Sequence, residues 1–328
     1  MAADEDSICY SEYVTVNGVN THVLKYDREE KESHHRVHAH HGSHSKEHDV
    51  LVLVIPGNPG VVGFYELFME TLYEASGRQV PVWGISHAGH EMTPDMKKTH
   101  WNWNTDDSKY TLKGQVKHKV EFIDKYVPPE KKLILIGHSI GCYFILEILK
   151  RMPHLNVLKC IMLFPTIEGM WDSPKGTWMA PILVYLRWAA LLPVVLLSYL
   201  SAHVQWSLIL WYFRGRNVAP CTYNATMNLF SPVCVSNQMY MAACEMKEVV
   251  LPDLETIRHH LPKLLFYYGA TDHWCPVSYY EKMKRIFPHG DIRLCKRGFK
   301  HAFCLESSEE MADMVWSWIK DEVTKIHK

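Results

Sequence analysis

Residues 132–141 read K-L-I-L-I-G-H-S-I-G, and this stretch decides the fold. After Lys132, residues 133–136 alternate leucine with β-branched isoleucine, as in a short buried strand, and residues 142–150 carry the apolar face of a helix. Residues 137–141 match the pattern G-x-S-x-G, in which a serine projects from a sharp strand-to-helix turn and small residues leave room on either side. The stretch therefore predicts a nucleophile elbow with Ser139 at its tip.

Short apolar runs alternate with helical patterns along most of the chain. Residues 61–76 carry an apolar face that ends before Gly77, so they predict a helix between two strands. Such alternation predicts an α/β fold, a mostly parallel sheet with helices on both faces. The predicted strands are 21–26, 50–55, 80–85, 132–136, 160–164, 263–268 and 292–294.

The alternation is interrupted once, by nearly one hundred residues between strands 160–164 and 263–268. A chain of 328 residues can form one large core that carries an insertion. We therefore divide it into residues 1–165 and 263–328, the two parts of the core, and residues 166–262, a cap over the active site.

Composition and the first residues argue against nucleic acid binding, secretion and disulfide bonds. The 35 Lys and Arg residues nearly balance 36 Asp and Glu residues, which argues against nucleic acid. Residues 1–6 are acidic and lack an apolar stretch, so we expect no cleaved signal and a cytosolic start. The nine cysteines contain no C-x-x-C pair, which favours reduced thiols.

Residues 33–49 contain seven of the 21 histidines. Histidine-rich tracts can bind transition metals, but this one lacks cysteines and regular spacing. We interpret it as a solvated loop that activity does not require, and we expect neither a metal nor a cofactor.

A serine nucleophile needs a histidine base and a carboxylate that orients it, and in α/β-hydrolases the chain order is serine, acid, histidine. Asp272 follows the strand at 263–268, and His301 comes 29 residues later, after the last strand. We predict Asp272 as the acid and His301 as the base. Two alternatives stay open: Glu168 as the acid, after the strand at 160–164, and His273 as the base.

The oxyanion of the tetrahedral intermediate needs backbone N–H donors. One should be Ile140, directly after the nucleophile, and the other should come from the loop I-P-G-N-P-G at residues 55–60. Proline has no N–H, so Asn58 is the predicted second donor. A second loop, S-H-A-G-H at residues 86–90, lies on the same rim, and its histidines are expected to be structural or substrate-facing.

The insertion contains an apolar segment, residues 178–213, with one charge, Arg187, and four tryptophans. It is long enough to cross a bilayer once, but one crossing would separate Ser139 from Asp272 and His301. We therefore expect a re-entrant hairpin or amphipathic pair of arms, broken at Pro193, that holds the protein on a lipid monolayer. An ordinary apolar cap packed on the core is the alternative.

With G-H-S-I-G, I-P-G-N-P-G and S-H-A-G-H, the chain resembles the lipid droplet-associated hydrolase family over nearly its whole length. The resemblance implies an α/β-hydrolase fold, residence on lipid droplets and the endoplasmic reticulum, and hydrolysis of stored neutral lipid, with cholesteryl ester as an expected substrate. Together with the catalytic residues, it predicts a serine ester hydrolase on the cytosolic face of these membranes. A droplet-bound scaffold or regulator with weak or no hydrolase activity is the alternative. Protein partners are not predicted.

Overall fold

The computed structural model describes residues 7–28, 49–94, 96 and 107–326. Most of the histidine-rich tract, up to residue 48, lies outside these residues. Eight strands in the described part form one sheet in the order β1-β2-β4-β3-β5-β6-β7-β8. The strands are β1 Ser7–Val16, β2 Val19–Arg28, β3 Val50–Ile55, β4 Val82–Ile85, β5 Lys132–His138, β6 Val157–Leu163, β7 Leu264–Gly269 and β8 Asp291–Cys295.

The sheet is parallel from β4 to β8, and its first two strands run antiparallel. Every residue of β3 is buried, because helices cover both faces of the central strands. This arrangement confirms the predicted α/β fold with a mostly parallel sheet. Strand β1 is absent from the predicted strands.

Twelve α-helices lie in the described part of the chain. They are α1 Glu66–Ala75, α2 Leu112–Tyr126, α3 Ile140–Arg151, α4 Gly176–Tyr185, α5 Arg187–Ser198, α6 Ala202–Tyr212, α7 Pro220–Thr226, α8 Pro232–Glu248, α9 Leu254–His260, α10 Val277–Ile286, α11 Phe303–Glu306 and α12 Ser308–Ile326. The helix predicted at 61–76 is a 3₁₀ turn, Val62–Tyr65, followed by α1. Gly77 follows with φ of +67°, as its predicted capping role requires.

Helices α4 to α9 lie between β6 and β7, and the apolar segment forms α4, α5 and α6. The expected break at Pro193 is wrong. Proline removes one N–H, but its fixed φ suits a helix, and α5 continues through Pro193. The chain bends instead at Leu186, whose φ of −118° and ψ of 16° are not helical.

Within the described residues, each of these helices is too short to cross a bilayer alone. Helices α4 and α5, which meet at a bend of 81°, together have the length and composition of a span.

Candidate active site

Ser139 occupies the turn between β5 and α3. Its φ of 53° and ψ of −120° are a conformation that a residue with a side chain adopts at a cost of about 1–3 kcal/mol. The turn is tight because α3 passes close to β3: a Cβ on Gly141 would lie 2.2 Å from the Ile55 carbonyl oxygen. This is the geometry of a nucleophile elbow.

The structure brings the side chains of Ser139, Asp272 and His301 together. Nε2 of His301 lies 2.9 Å from Oγ of Ser139, and Nδ1 of His301 lies 2.6 Å from Oδ2 of Asp272. Three residues that are 29 to 162 positions apart therefore form a continuous hydrogen-bonded line. Oγ of Thr166 also lies 3.3 Å from the serine hydroxyl.

Asp272 lies in the loop after β7 and is buried. Burial alone would raise the pKa of its carboxyl. Hydrogen bonds from His301, from the Cys275 thiol at 3.0 Å and from the Trp274 N–H at 2.7 Å outweigh burial and hold this pKa below its ordinary value. The carboxylate is therefore ionised at neutral pH and able to stabilise a protonated His301.

A second hydrogen-bonded line runs beneath these residues. Nε2 of the buried His138 donates to the His301 carbonyl at 2.8 Å, so its Nδ1 accepts from the Tyr65 hydroxyl at 2.6 Å. The Tyr65 oxygen accepts in turn from the Gly57 N–H at 2.9 Å. Burial lowers the pKa of His138 to about 3, which keeps the ring neutral. The line ties the His301 backbone to the loop at 56–60.

That loop faces the elbow, and hydrogen bonds occupy most of its N–H groups. The Gly57 N–H donates to Tyr65 and the Gly60 N–H to Nδ1 of His90, while Pro59 has none. In the described part of the chain, the Asn58 N–H has no partner. Ile140 begins α3, where a helix leaves its first N–H groups unpaired. Both predicted oxyanion donors are thus open for a ligand.

The loop at 86–90 supports the loop at 56–60 from behind. The His87 N–H donates to the Gly60 carbonyl at 2.7 Å, and a Cβ on Gly60 would lie 2.2 Å from the His87 ring. Its histidines are buried, and His90 accepts from the loop backbone. Their contacts are structural, one of the two predicted roles.

The two alternative residues lie elsewhere. Glu168 is buried and forms an ion pair with Lys282 on α10. His273 is exposed, and its ring has no hydrogen bond among the described residues. Among the described residues, neither side chain is hydrogen bonded to Ser139, His301 or Asp272.

Two cavities meet at His301. The larger, about 620 Å³, extends from Asp272 and His301 to Tyr212 and Phe213 at the end of α6. The smaller, about 300 Å³, contains Ser139, and methionine and leucine side chains form much of its apolar wall. Both are apolar spaces of the size that takes a small organic ligand.

Among the described residues, one group of side chains has ligand atoms close enough for a metal ion. These are Asp272, Cys275 and His301, whose atoms lie within 4.8 Å of one another. The same atoms hydrogen bond to each other, so a metal would replace the contacts that orient His301. The expectation of no metal cofactor stays a prediction.

Sequence reasoning missed four polar residues around the site: Tyr65, His138, Thr166 and Cys275. His138 lies inside the G-x-S-x-G motif and Cys275 three residues after Asp272, so proximity to the motifs was a usable signal. Tyr65 is 73 residues from its partner His138, and no local pattern joins them.

A nucleophile elbow after the central strand of such a sheet defines the α/β-hydrolases, and this chain has that fold. Its structure is similar to an epoxide hydrolase from Vigna radiata, with 14% identity and a TM-score of 0.56 over 98% of this chain and 100% of that chain. It is also similar to potato epoxide hydrolase I, with 13% identity and a TM-score of 0.58 over 96% and 100%. At such identity the likeness shows the fold alone.

Within that class, the chain belongs to the lipid droplet-associated hydrolase family. The model of this family matches residues 48–304. Lipid droplet-associated hydrolase from Gallus gallus is 42% identical over 99% of both chains, and the Homo sapiens protein is 40% identical over 98% of both. The Drosophila melanogaster protein is 33% identical over 94% of this chain and 97% of its own.

Proposed function

We propose that this hydrolase is a serine ester hydrolase that cleaves stored neutral lipid at the droplet surface. Ser139 is the nucleophile, His301 the general base and Asp272 the acid that orients it. The observation that carries the proposal is the pair of hydrogen bonds that joins these side chains, 2.9 Å from Ser139 to His301 and 2.6 Å from His301 to Asp272.

In the first half of the reaction, Nε2 of His301 takes the proton of Ser139 as Oγ attacks the ester carbonyl carbon. The N–H groups of Asn58 and Ile140 stabilise the resulting oxyanion. The intermediate then expels the alcohol, which takes its proton from His301, and leaves an acyl group on Ser139. Water, activated by the same histidine, releases the fatty acid and restores the serine.

We propose cholesteryl ester as the substrate. The two apolar cavities that meet at His301 give separate spaces for the two parts of an ester, about 620 and 300 Å³. The larger reaches the end of α6, so a bulky apolar group from the lipid phase has a path to His301, where this cavity meets the one that contains Ser139.

We further propose that α4 to α6 hold the enzyme on the droplet monolayer and on the endoplasmic reticulum membrane, with the site on the cytosolic side. These helices expose large apolar side chains, including Trp188 (55% exposed), Leu192 (60%), Leu196 (70%) and Trp211 (72%). Each contributes about 1.5–3 kcal/mol when lipid buries it, so these four alone contribute on the order of 10 kcal/mol. The basic residues Lys175 and Arg214 flank the segment.

The substrate is tested with purified wild-type protein and Ser139→Ala on emulsions of cholesteryl, acylglycerol and short-chain esters. We expect the wild type to release fatty acid, most rapidly from cholesteryl ester, and the variant to release none. Fastest hydrolysis of acylglycerol would contradict the proposed substrate. Droplet binding without hydrolysis of any ester would refute the proposed enzyme activity and favour a droplet-bound scaffold.

Attachment is tested by droplet fractionation of Leu192→Asp. Because Leu192 is 60% exposed, the variant should fold and react at Ser139 but leave the droplet fraction. Leu191 is the matched control: at 2% exposure it lies in the protein interior, so Leu191→Asp should unfold instead. A Leu192→Asp protein that stays on droplets would refute the proposed surface.

A further inference from the structure

Helix α8 of the insertion faces the two loops beside the elbow with polar side chains. Nδ2 of Asn237 donates to the Gly89 carbonyl and Nε2 of Gln238 to the His90 carbonyl, each at 3.0 Å. Two turns further along, Glu245 is 3% exposed, and its Oε1 accepts from Nδ2 of Asn58 at 3.0 Å. Residues seven or eight apart lie on one face of a helix, so this face is directed at the loops.

In the described part of the chain, both hydrogen bonds of the Asn58 side chain go to this helix. Its amide nitrogen donates to Glu245 and to the main-chain carbonyl of Gln238, each at 3.0 Å. An amide group has two N–H donors, so both are used. The backbone N–H of the same residue is the open donor of the loop, so the two side-chain bonds restrict the movement of the residue that carries it.

Glu245 has an unusual setting for a carboxyl group. It lines the smaller cavity with Ser139 and His301, and α4 contributes the apolar Met179 and Leu183 to the same wall. Burial raises its pKa to about 8, with the hydrogen bond from Asn58 acting in the opposite direction. The titratable groups nearby are His301, across the cavity, and Cys244, the preceding residue. Burial raises the pKa of the Cys244 thiol, and the charge of Glu245 adds a smaller increase.

We propose that Glu245 is a positioning residue for the oxyanion hole: it holds the Asn58 side chain so that the Asn58 N–H is directed at the carbonyl oxygen of the substrate. The inference rests on the proposed function, because it needs an oxyanion beside Ser139. In this role the insertion takes part in the reaction, since α8 fixes a loop of the core. The same role requires Glu245 to be neutral in the active enzyme. A carboxylate in this apolar cavity would oppose the oxyanion, whereas a neutral carboxyl would not.

The test compares Glu245→Leu, Glu245→Gln and wild type by steady-state hydrolysis of a soluble short-chain ester. Leucine removes the acceptor, so kcat should fall by about 10- to 100-fold, with KM within about 3-fold, because the oxyanion forms only after the ester binds. Glutamine keeps the acceptor and is always neutral, so its kcat should stay near that of the wild type. The wild-type rate should fall as pH rises through about 8, and Glu245→Gln should lose this decline.

Glu248→Leu, an exposed change on the same helix, is the matched control and should keep kcat. Wild-type kcat in Glu245→Leu would overturn the inference, and so would an alkaline decline in Glu245→Gln equal to that of the wild type. The second result decides the matter even if Glu245→Leu does not fold. Ser139→Ala is measured alongside: hydrolysis by that variant refutes the proposed function itself, whereas full activity in Glu245→Leu with an inactive Ser139→Ala refutes only the role of Glu245.

Discussion

The hydroxyl of Tyr65 joins two parts of the site, and Tyr65→Phe removes it without changing the ring. Tyr65 is 2% exposed. Its oxygen accepts from the Gly57 N–H and donates to Nδ1 of His138. Both of these groups are buried and lose their partner in the variant.

Leaving a buried polar group without a partner costs about 1–3 kcal/mol, so two such groups predict a loss of about 2–6 kcal/mol in the free energy of unfolding. The unfolding entropy is about 2.1 cal/mol/K per residue, so over the 328 residues a loss of 1 kcal/mol in stability lowers the melting temperature by about 1.5 °C. The melting temperature should therefore fall by roughly 3–9 °C. Because His138 also holds the His301 carbonyl, a looser His138 should lower kcat by roughly 10-fold.

The assay is thermal and urea unfolding together with ester hydrolysis. Tyr268→Phe is the matched control, since Tyr268 is fully buried and its hydroxyl has no partner in the described part of the chain. Removing that hydroxyl should leave stability unchanged or raise it. Equal effects of the two substitutions would refute the reasoning, because they would show that the hydrogen bonds of Tyr65 contribute nothing.

The other predictions concern the acid and the buried histidines. In Asp272→Asn the amide would donate to Nδ1 of His301 and force the proton onto Nε2, so kcat should fall by about 10³- to 10⁴-fold with the fold intact. Glu168→Gln should change kcat by less than about 3-fold, since Glu168 pairs with Lys282; a larger loss there than in Asp272→Asn means that the acid is misassigned. Burial lowers the pKa of His90 and His138 to about 3 from 6.5, so their contribution to stability is full above 6.5 and is lost as pH falls toward 3. The raised pKa of Glu245 acts in the opposite sense over the same pH range, so the test uses Glu245→Gln. Its urea midpoint should be lower at about pH 5 than at about pH 7.5, and an equal or higher midpoint contradicts this.

The elbow and the central strands were predictable because their signals are local. Strand β3, predicted at 50–55, is Val50–Ile55, and β5 extends the predicted run by two residues to His138. The chain order of serine, acid and histidine predicted Asp272 and His301, and the structure brings these two side chains into contact. Strand β1 was missed because it lies at the sheet edge with polar residues among apolar ones, and pairing with β2 alone holds it in the sheet.

Contacts between distant elements could not be read from local patterns. Glu245 is the one charge in the run Met241 to Met246, which was a signal, but its partner Asn58 is 187 residues away. The bend at Leu186 was also unpredictable. Proline at 193 indicated a break there, whereas the chain turns at Leu186, between two helices that both pack against α8.

The central claim is that Ser139 is an activated nucleophile. A fluorophosphonate probe reacts with a serine hydroxyl only when a base removes its proton, and peptide mass spectrometry locates the adduct. We predict one adduct, on the peptide that contains Ser139, absent in Ser139→Ala and strongly reduced in His301→Ala. An unlabelled wild-type protein, or an adduct that persists in Ser139→Ala, would contradict the account.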